Sequence, residues 1–409
     1  MRPPANALVQ GQASSARLSI SGMQDPPISP RAHQLHFRSI VFDAHADTTQ
    51  RLFWERFDLG TRSSVGQVDL PRMREGGLGA IFFSLWSPGT LKGGPAVQRA
   101  LDLIDAVRQQ VELHPQDLAL VTKAADVPRA RAKGKIAILM GLEGGHMIAD
   151  DLGVLRMYAA LGVRYMTLTH TVHTTWADAS TEPPIHNGLT PFGRSVVKEM
   201  NRLGMLVDVS HVSDKTFWDA LEGSKAPLFA SHSCCRALCD APRNLSDDMI
   251  RALAAGGGVV GINFHVGFLS QAYCDAVRKI APELEEANQR AHQACGDDLQ
   301  CQVWAEARVS QEFTRAGKLP EVRWEQIVDH IDHAVGLVGA DHVALGSDMD
   351  GSTMPIGMED VTALPRITAA LLERGYSAAD IRKILGRNTL RLLAQAEQVA
   401  KEMQTLEER

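Results

Sequence analysis

Residues 135–145 read KIAILMGLEGG. After Lys135 come seven residues without a charge, then Glu143 and two glycines. A strand with one wet face alternates apolar and polar residues. This run does not, so it reads as a strand covered on both faces, as in a parallel sheet. It ends on a carboxylate that emerges straight from apolar surroundings. Burying such a group without a partner costs several kcal/mol, so a cation is expected beside Glu143. An ordinary salt bridge to Lys or Arg would satisfy the same need. Gly144 and Gly145 permit close backbone approach there.

The same grammar recurs along the chain. Apolar, β-rich runs lie at 39–43, 79–85, 163–168, 205–209, 228–230, 259–264 and 342–345, which with 135–142 makes eight. Helical patterns at 97–113, 152–161, 191–203, 214–221, 247–255, 324–338, 358–373, 377–385 and 390–408 lie between and after them. Pro191 and Asp214 suit a first helical turn, and Ser377–Asp380 resembles a capping box with Asp in place of Glu. Gly256–Gly258 marks a turn into the seventh strand. Eight strands alternating with helices predict an α/β fold, a (β/α)8 TIM-like barrel. A doubly wound open sheet is the alternative. The barrel is preferred because polar residues close many strands rather than one switch point. Residues 265–322 break the repeat and read as a long insertion after strand seven, long enough to cover the barrel mouth. The expected organisation is a flexible leader over 1–38, the barrel over 39–395 and a helix end over 396–409.

The chain has 409 residues, 44% hydrophobic and 22% charged, an ordinary balance for a soluble domain with a large core. A net charge of −6 argues against nucleic acid as a partner. No run approaches the ~20 apolar residues needed to span a bilayer, and the first 38 residues do not read as a secretory signal. All six cysteines lie between Cys234 and Cys301, without zinc-ribbon spacing. Cys295 and Cys301 bracket a short polar loop and either bridge or stay as free thiols. A cytoplasmic location is expected, with export as the alternative if cysteines are bridged.

Polar residues gather at strand ends. The first strand ends in Asp43-Ala44-His45-Ala46-Asp47, where alternation would aim His45 and Asp47 to one side. The third ends at Glu143, the fifth at Asp208-Val209-Ser210-His211, the sixth at Ser231-His232-Ser233, and the eighth at Ser347-Asp348-Met349-Asp350-Gly351. Asp-Gly favours a turn, so Asp350 reads as structural and Asp348 as the chemical acid. Each of these alone is weak evidence. Together they crowd one end of a barrel, the end where barrel enzymes react. They exceed what one tetrahedral ion needs and suit two metals joined by a carboxylate.

At this point the motifs resemble those of the membrane (renal) dipeptidases and their bacterial relatives in the amidohydrolase superfamily. The resemblance runs from about Ile40 to about Leu393, through Asp43–Asp47, Gly141–Gly145, Leu168–His170, Trp176–Asp178, Asp208–His211, Ser231–Ser233, Pro242–Asn244 and Gly346–Gly351. It implies a zinc-dependent dipeptidase with two ions per subunit. His45 and Asp47 would hold one, His211 and His232 the other, and Glu143 would bridge them. Asp348 would handle the proton as a hydroxide shared by the metals attacks the amide. His170 would contact substrate and stabilise the oxyanion, and Arg243 would hold the C-terminal carboxylate. A dipeptide, including one with a D-residue at its C-terminal side, is the implied substrate, and a homodimer the expected assembly. Another amidohydrolase activity, on N-acyl amino acids, lactones or phosphotriesters, is the alternative enzyme. Those barrels usually carry a carboxylated Lys on strand four, where this chain has Thr169-His170. A metal-binding scaffold without turnover is the non-enzymatic alternative. His173 falls in the loop after strand four, facing substrate or simply solvated. By the same resemblance Cys239 pairs with Cys274, which would imply export.

Overall fold

The structure, a computed structural model, describes residues 28–296 and 298–407. Within them nine strands form one parallel sheet: β1 Val41–Ala46, β2 Leu78–Trp86, β3 Leu118–Leu120, β4 Ile136–Glu143, β5 Val163–Thr167, β6 Leu206–Asp208, β7 Phe229–Ala230, β8 Val259–Ile262 and β9 Val343–Leu345. The order is β2-β1-β9-β8-β7-β6-β5-β4, and β2 also pairs with β4, from Ala80 opposite Ala137 to Trp86 opposite Glu143. That last pairing closes the circle. The fold is therefore an eight-stranded TIM barrel, and the open sheet is excluded. β3 stands outside the circle, paired with the first residues of β4. Three residues carry too little periodicity to announce a strand, and it was not anticipated.

Alternate strand residues fill the interior. Phe42, Phe82, Tyr165 and Phe229 come from β1, β2, β5 and β7, with ring centroids 4.8 to 6.5 Å apart. Leu392, Leu393 and Ala396 of the last helix, Asn388–Glu407, join this cluster. The other strand faces, among them Val41, Ile81, Ile138, Met166 and Val260, pack against the surrounding helices. Both faces are covered, which is why the strands read as unbroken apolar runs.

The helices start where capping chemistry allows. Thr190, Ser213 and Ser246 each accept a backbone N–H three residues on, at 3.2 to 3.3 Å, and open Pro191–Leu203, Asp214–Gly223 and Asp247–Ala255. Ser377 caps Ala378–Arg382, but the Asp380 carboxylate accepts from the Ser377 hydroxyl rather than from its backbone, so only half of the box forms. The helix expected over 358–373 begins only at Pro365, which supplies no N–H and fits a first turn.

One expectation needs correction. The leader expected over 1–38 contains the helix Pro30–Arg38, capped by Ser29 and held by buried Ala32, Leu35 and His36. Residues 1–27 lie outside the described residues. The insertion over 265–322, whose charged stretch Pro282–Arg315 reads as helix-prone, is helical. It holds helices Val266–Leu269, Gln271–Lys279, Ala281–Cys295 and Leu299–Arg315. The last two form a hairpin joined by a Cys295–Cys301 disulfide, and it packs on itself and on Gln271–Lys279. Cys239 and Cys274 are free thiols with sulfurs 3.1 Å apart.

Candidate metal centre

The C-terminal ends of the barrel strands bring the sequence-derived candidates together. In β1 the register against β2 slips by one residue between Asp43 and Ala46. Such a bulge re-aims the side chains around it. His45 lies at the bulge, and Asp47 has already left the strand as the N-cap of the helix Thr48–Trp54. The two still converge, Nε2 to Oδ1 at 3.6 Å, but through the bulge and turn rather than by strand alternation. Gly351 makes room, because a Cβ there would lie 1.8 Å from Asp47 Oδ2.

Glu143 is the last residue of β4, 2% exposed and at the centre of the cluster. Its Oε2 lies 3.4 Å from His45 Nε2, and its Oε1 lies 3.0 Å from His211 Nε2, 3.4 Å from His232 Nε2 and 3.6 Å from His170 Nε2. Ser84 of β2 donates to Oε2 at 2.8 Å. His211 sits in a left-handed turn after β6, φ 69°. His232 follows β7, and the two Nε2 atoms are 2.9 Å apart.

After β9 the chain turns at Asp348, φ 60°, and again at Asp350, φ 63°. The turn therefore starts two residues earlier than Asp-Gly suggested. It splits the two acids as expected. Asp348 Oδ1 faces His45 Nε2 at 3.9 Å, while its Oδ2 accepts from Asn263 at 3.0 Å. Asp350 points away and accepts from Thr48 and the Gln67 backbone.

This donor set fits metal ions. At Zn–N and Zn–O distances of ~2.0–2.1 Å, ligands at the corners of a tetrahedron lie about 3.3 Å apart. His45 lies 3.6 Å from Asp47 and 3.4 Å from Glu143, and the Glu143, His211 and His232 atoms are 2.9 to 3.4 Å apart, near that spacing. His45 Nε2 and Asp47 Oδ1 are buried without a hydrogen bond. The described residues form three ligand groups here: His45, Glu143 and His232; Glu143, His170 and His211; and His45, Asp47 and Asp348. Burial pushes the proton affinity of His211 and His232 well down, with Arg243 adding to it, so both are neutral imidazoles. Burial opposes the charge on Glu143, yet His45, His170 and the other imidazoles outweigh it and hold the carboxyl ionised. Burial, then Asp47, pushes Asp348 up to about 7. Neutral imidazoles at His211 and His232 beside an ionised carboxylate are forms that ligate metal, whereas His45, although burial opposes its charge, is held protonated by Tyr165 and Glu143 and would give up that proton to a metal.

Arg243 lies 6% exposed beside this cluster. Its Nη2 donates to the His232 carbonyl at 3.2 Å, while Nε and Nη1 are buried without a partner. A neighbouring cavity of about 540 Å³, lined in part by Ser180, Ser213, Arg236 and Pro242, has its own Arg236 already paired with Asp214. His173 is tied into its loop, accepting from Ala179 N at 2.9 Å and donating to the Pro183 carbonyl at 2.9 Å. The solvated-loop reading of His173 gives way to a bonded one.

Some polar residues around the cluster were passed over in the sequence although they lie in or beside the quoted motifs. Tyr165 OH meets His45 Nδ1 at 2.7 Å, and Gly141 permits this, since a Cβ there would lie 1.9 Å from the Tyr165 ring. Asp43 and Asp208 are buried carboxylates that accept backbone N–H groups two residues on. The usable signal was an acid two or three residues before a histidine at a strand end.

The sequence profile of the membrane dipeptidases, peptidase family M19, matches residues 29–407. Dipeptidase 3 of Mus musculus is 34% identical over 386 residues, 92% of this chain and 68% of its own length. The probable dipeptidase PvdM from Pseudomonas aeruginosa is similar in structure, with a TM-score of 0.78 and 28% identity over 91% of this chain and 100% of that one. A metallopeptidase from Rhodobacter sphaeroides, liganded with a phosphinate mimic of the dipeptide L-Ala-D-Ala, gives a TM-score of 0.72 and 28% identity over 88% and 99%.

Proposed function

The chain belongs to the membrane dipeptidase family and is a metal-dependent dipeptidase, and we propose that it cleaves dipeptides bearing a free C-terminal carboxylate with two zinc ions. His45 and Asp47 would hold one ion, His211 and His232 the other, and Glu143 both. Bound there, the ions would supply Lewis-acid charge and make water acidic enough to act as a nucleophile near neutral pH.

The chain's own residues do the rest. The Asp348 carboxylate takes a proton from the attacking water and returns it to the departing amine. Asn263 occupies its Oδ2, which leaves Oδ1 for that exchange. His170, half-buried at the mouth and with a buried Nδ1 lacking a partner, contributes a hydrogen-bond donor to the oxyanion. Arg243 holds the substrate carboxylate. One observation carries this reading: the Arg243 fork is buried beside the donor cluster with Nε and Nη1 both unmatched. A buried donor without a partner costs about 1–3 kcal/mol. Nε and Nη1 lie on different edges of the guanidinium, so a substrate carboxylate bonded at Nη1 would satisfy one of them with a charge-assisted bond.

That fork favours a free carboxylate over lactones and phosphotriesters, which have none. An N-acyl amino acid shares it, so a substrate panel separates the two. Dipeptides with L- and D-residues at the C-terminal side, their C-terminal amides and N-acyl amino acids are assayed with zinc-loaded enzyme and with Arg243→Ala. Arg243→Ala should raise KM for free-acid dipeptides about 10- to 100-fold, as for a lost charged hydrogen bond, and leave the amides unchanged. Equal losses on acids and amides overturn the clamp. Turnover of the D-residue substrates supports the same tolerance that the L-Ala-D-Ala mimic suggests for the Rhodobacter sphaeroides enzyme. Pairing into a homodimer is part of the proposal and is read by light scattering. The Cys295–Cys301 bridge favours export over the cytoplasm.

A further inference from the structure

We infer that Asp208 and Ser231 are positioning residues that commit His232 to one tautomer. Asp208 closes β6 and is fully buried. Its Oδ1 accepts from Ser210 N at 3.1 Å and Ser231 N at 2.9 Å, and its Oδ2 from Thr167 Oγ1 at 2.5 Å and Ser231 Oγ at 2.7 Å. The Ser231 hydroxyl has one proton and gives it to Asp208. It can then only accept from His232 Nδ1, 2.7 Å away. The imidazole proton is therefore on Nδ1, and the Nε2 lone pair faces Glu143 Oε1 at 3.4 Å. The backbone N–H of His232 is held as well, by Ser210 Oγ at 3.0 Å.

The far side of the mouth repeats the first half of this device. Asp43 of β1 accepts from His45 N at 3.2 Å and Ser347 N at 2.8 Å through Oδ1, and from the Ser347 hydroxyl through Oδ2. In both places a strand Asp bonds the backbone two residues on and clamps a serine, N–H and hydroxyl together, just past the end of the neighbouring strand. The two differ at the end. The Ser347 hydroxyl reaches backbone atoms of His45 and Met349, whereas the Ser231 hydroxyl reaches an imidazole. A clamp that fixed only strand register would not need that last bond.

The inference rests on the assignment of His232 as a ligand, and the test separates the two. Ser231→Ala removes the hydroxyl while Asp208 keeps three of its four donors. Thr167→Val removes another donor from the same Asp208 oxygen and leaves His232 alone. On metal-free protein, imidazole ¹⁵N NMR should show a single Nδ1-protonated form of His232 in wild type and Thr167→Val, and a mixture in Ser231→Ala. Zinc titration against a competing chelator should show one of the two equivalents weakened about 10- to 100-fold in Ser231→Ala and unchanged in Thr167→Val. Ser231→Ala with wild-type tautomer, or with wild-type zinc affinity, overturns the inference, and so does equal damage from Thr167→Val. His232→Ala that still binds two zinc ions overturns the ligand assignment instead, whatever the tautomer shows.

Discussion

Buried histidines behave in opposite ways at the two ends of this barrel. At the bottom, ahead of β1 and β2, His36 has both ring nitrogens bonded, Nδ1 with Thr368 Oγ1 at 2.7 Å and Nε2 with the Gly76 carbonyl at 2.8 Å. At the mouth, His45 Nε2, His170 Nδ1 and His211 Nδ1 are buried with no hydrogen bond, and Arg243 leaves two nitrogens unmatched. The backbone there is also held in left-handed turns at His211, Asp348 and Asp350, at a cost of about 1–2 kcal/mol each. One end is built for stability. The other keeps unmet valences that only a ligand can satisfy.

The largest test of that contrast is removal of metal. Chelation should abolish turnover and lower stability by about 4 kcal/mol relative to protein at a thousandfold excess of zinc over its Kd. Hydrogen exchange should quicken around the ends of β4, β6, β7 and β9 and not in Pro30–Arg38. Slowed or unchanged exchange at the mouth would break the comparison. Next in size, Asp348→Asn should lower kcat by about 10²- to 10⁴-fold. In metal-free protein the same change should raise stability by about 1–2 kcal/mol, because Asp47, Glu143 and Asp348 crowd one buried space. A variant that is both slower and less stable would contradict a mouth held under tension.

The bottom should answer to acid instead. Burial lowers His36 from 6.5 to about 4. The folded state therefore resists protonation while the unfolded state accepts it below about 6.5. The stability from His36 is complete above that pH and is lost as pH falls toward about 4, about 3 kcal/mol in all. His36→Gln should flatten this part of the denaturation-versus-pH curve and leave kcat unchanged. The smallest effect belongs to Thr368→Val, which deletes one partner of His36 and should cost about 1 kcal/mol in chemical denaturation.

Much of this was legible in one dimension. Parallel strands buried on both faces leave unbroken apolar runs, so all eight barrel strands were found, and the ends of those runs delivered His45, Glu143, His211, His232 and Asp348. The rest was not legible for reasons of scale. β3 is too short for a period. The helix Pro30–Arg38 lies in a stretch that resembles a leader until one sees Leu35 and His36 buried. The helical character of the insertion was legible in its charged stretch, but not its packing: two helices that face mostly solvent, with no residue buried in Ala281–Cys295.

By itself, the order of residues determined the fold class and the chemical inventory, because secondary-structure period and strand ends are local properties. Which donors meet was decided only by closure of the sheet. The β2–β4 pairing, the slip in β1 and the turn at Asp348 bring side chains up to about 300 positions apart, such as His45 and Asp348, within 3.9 Å. So too with the relay from Asp208 through Ser231 to His232. Hydrogen bonds depend on distance in space, and separation along the chain does not predict it.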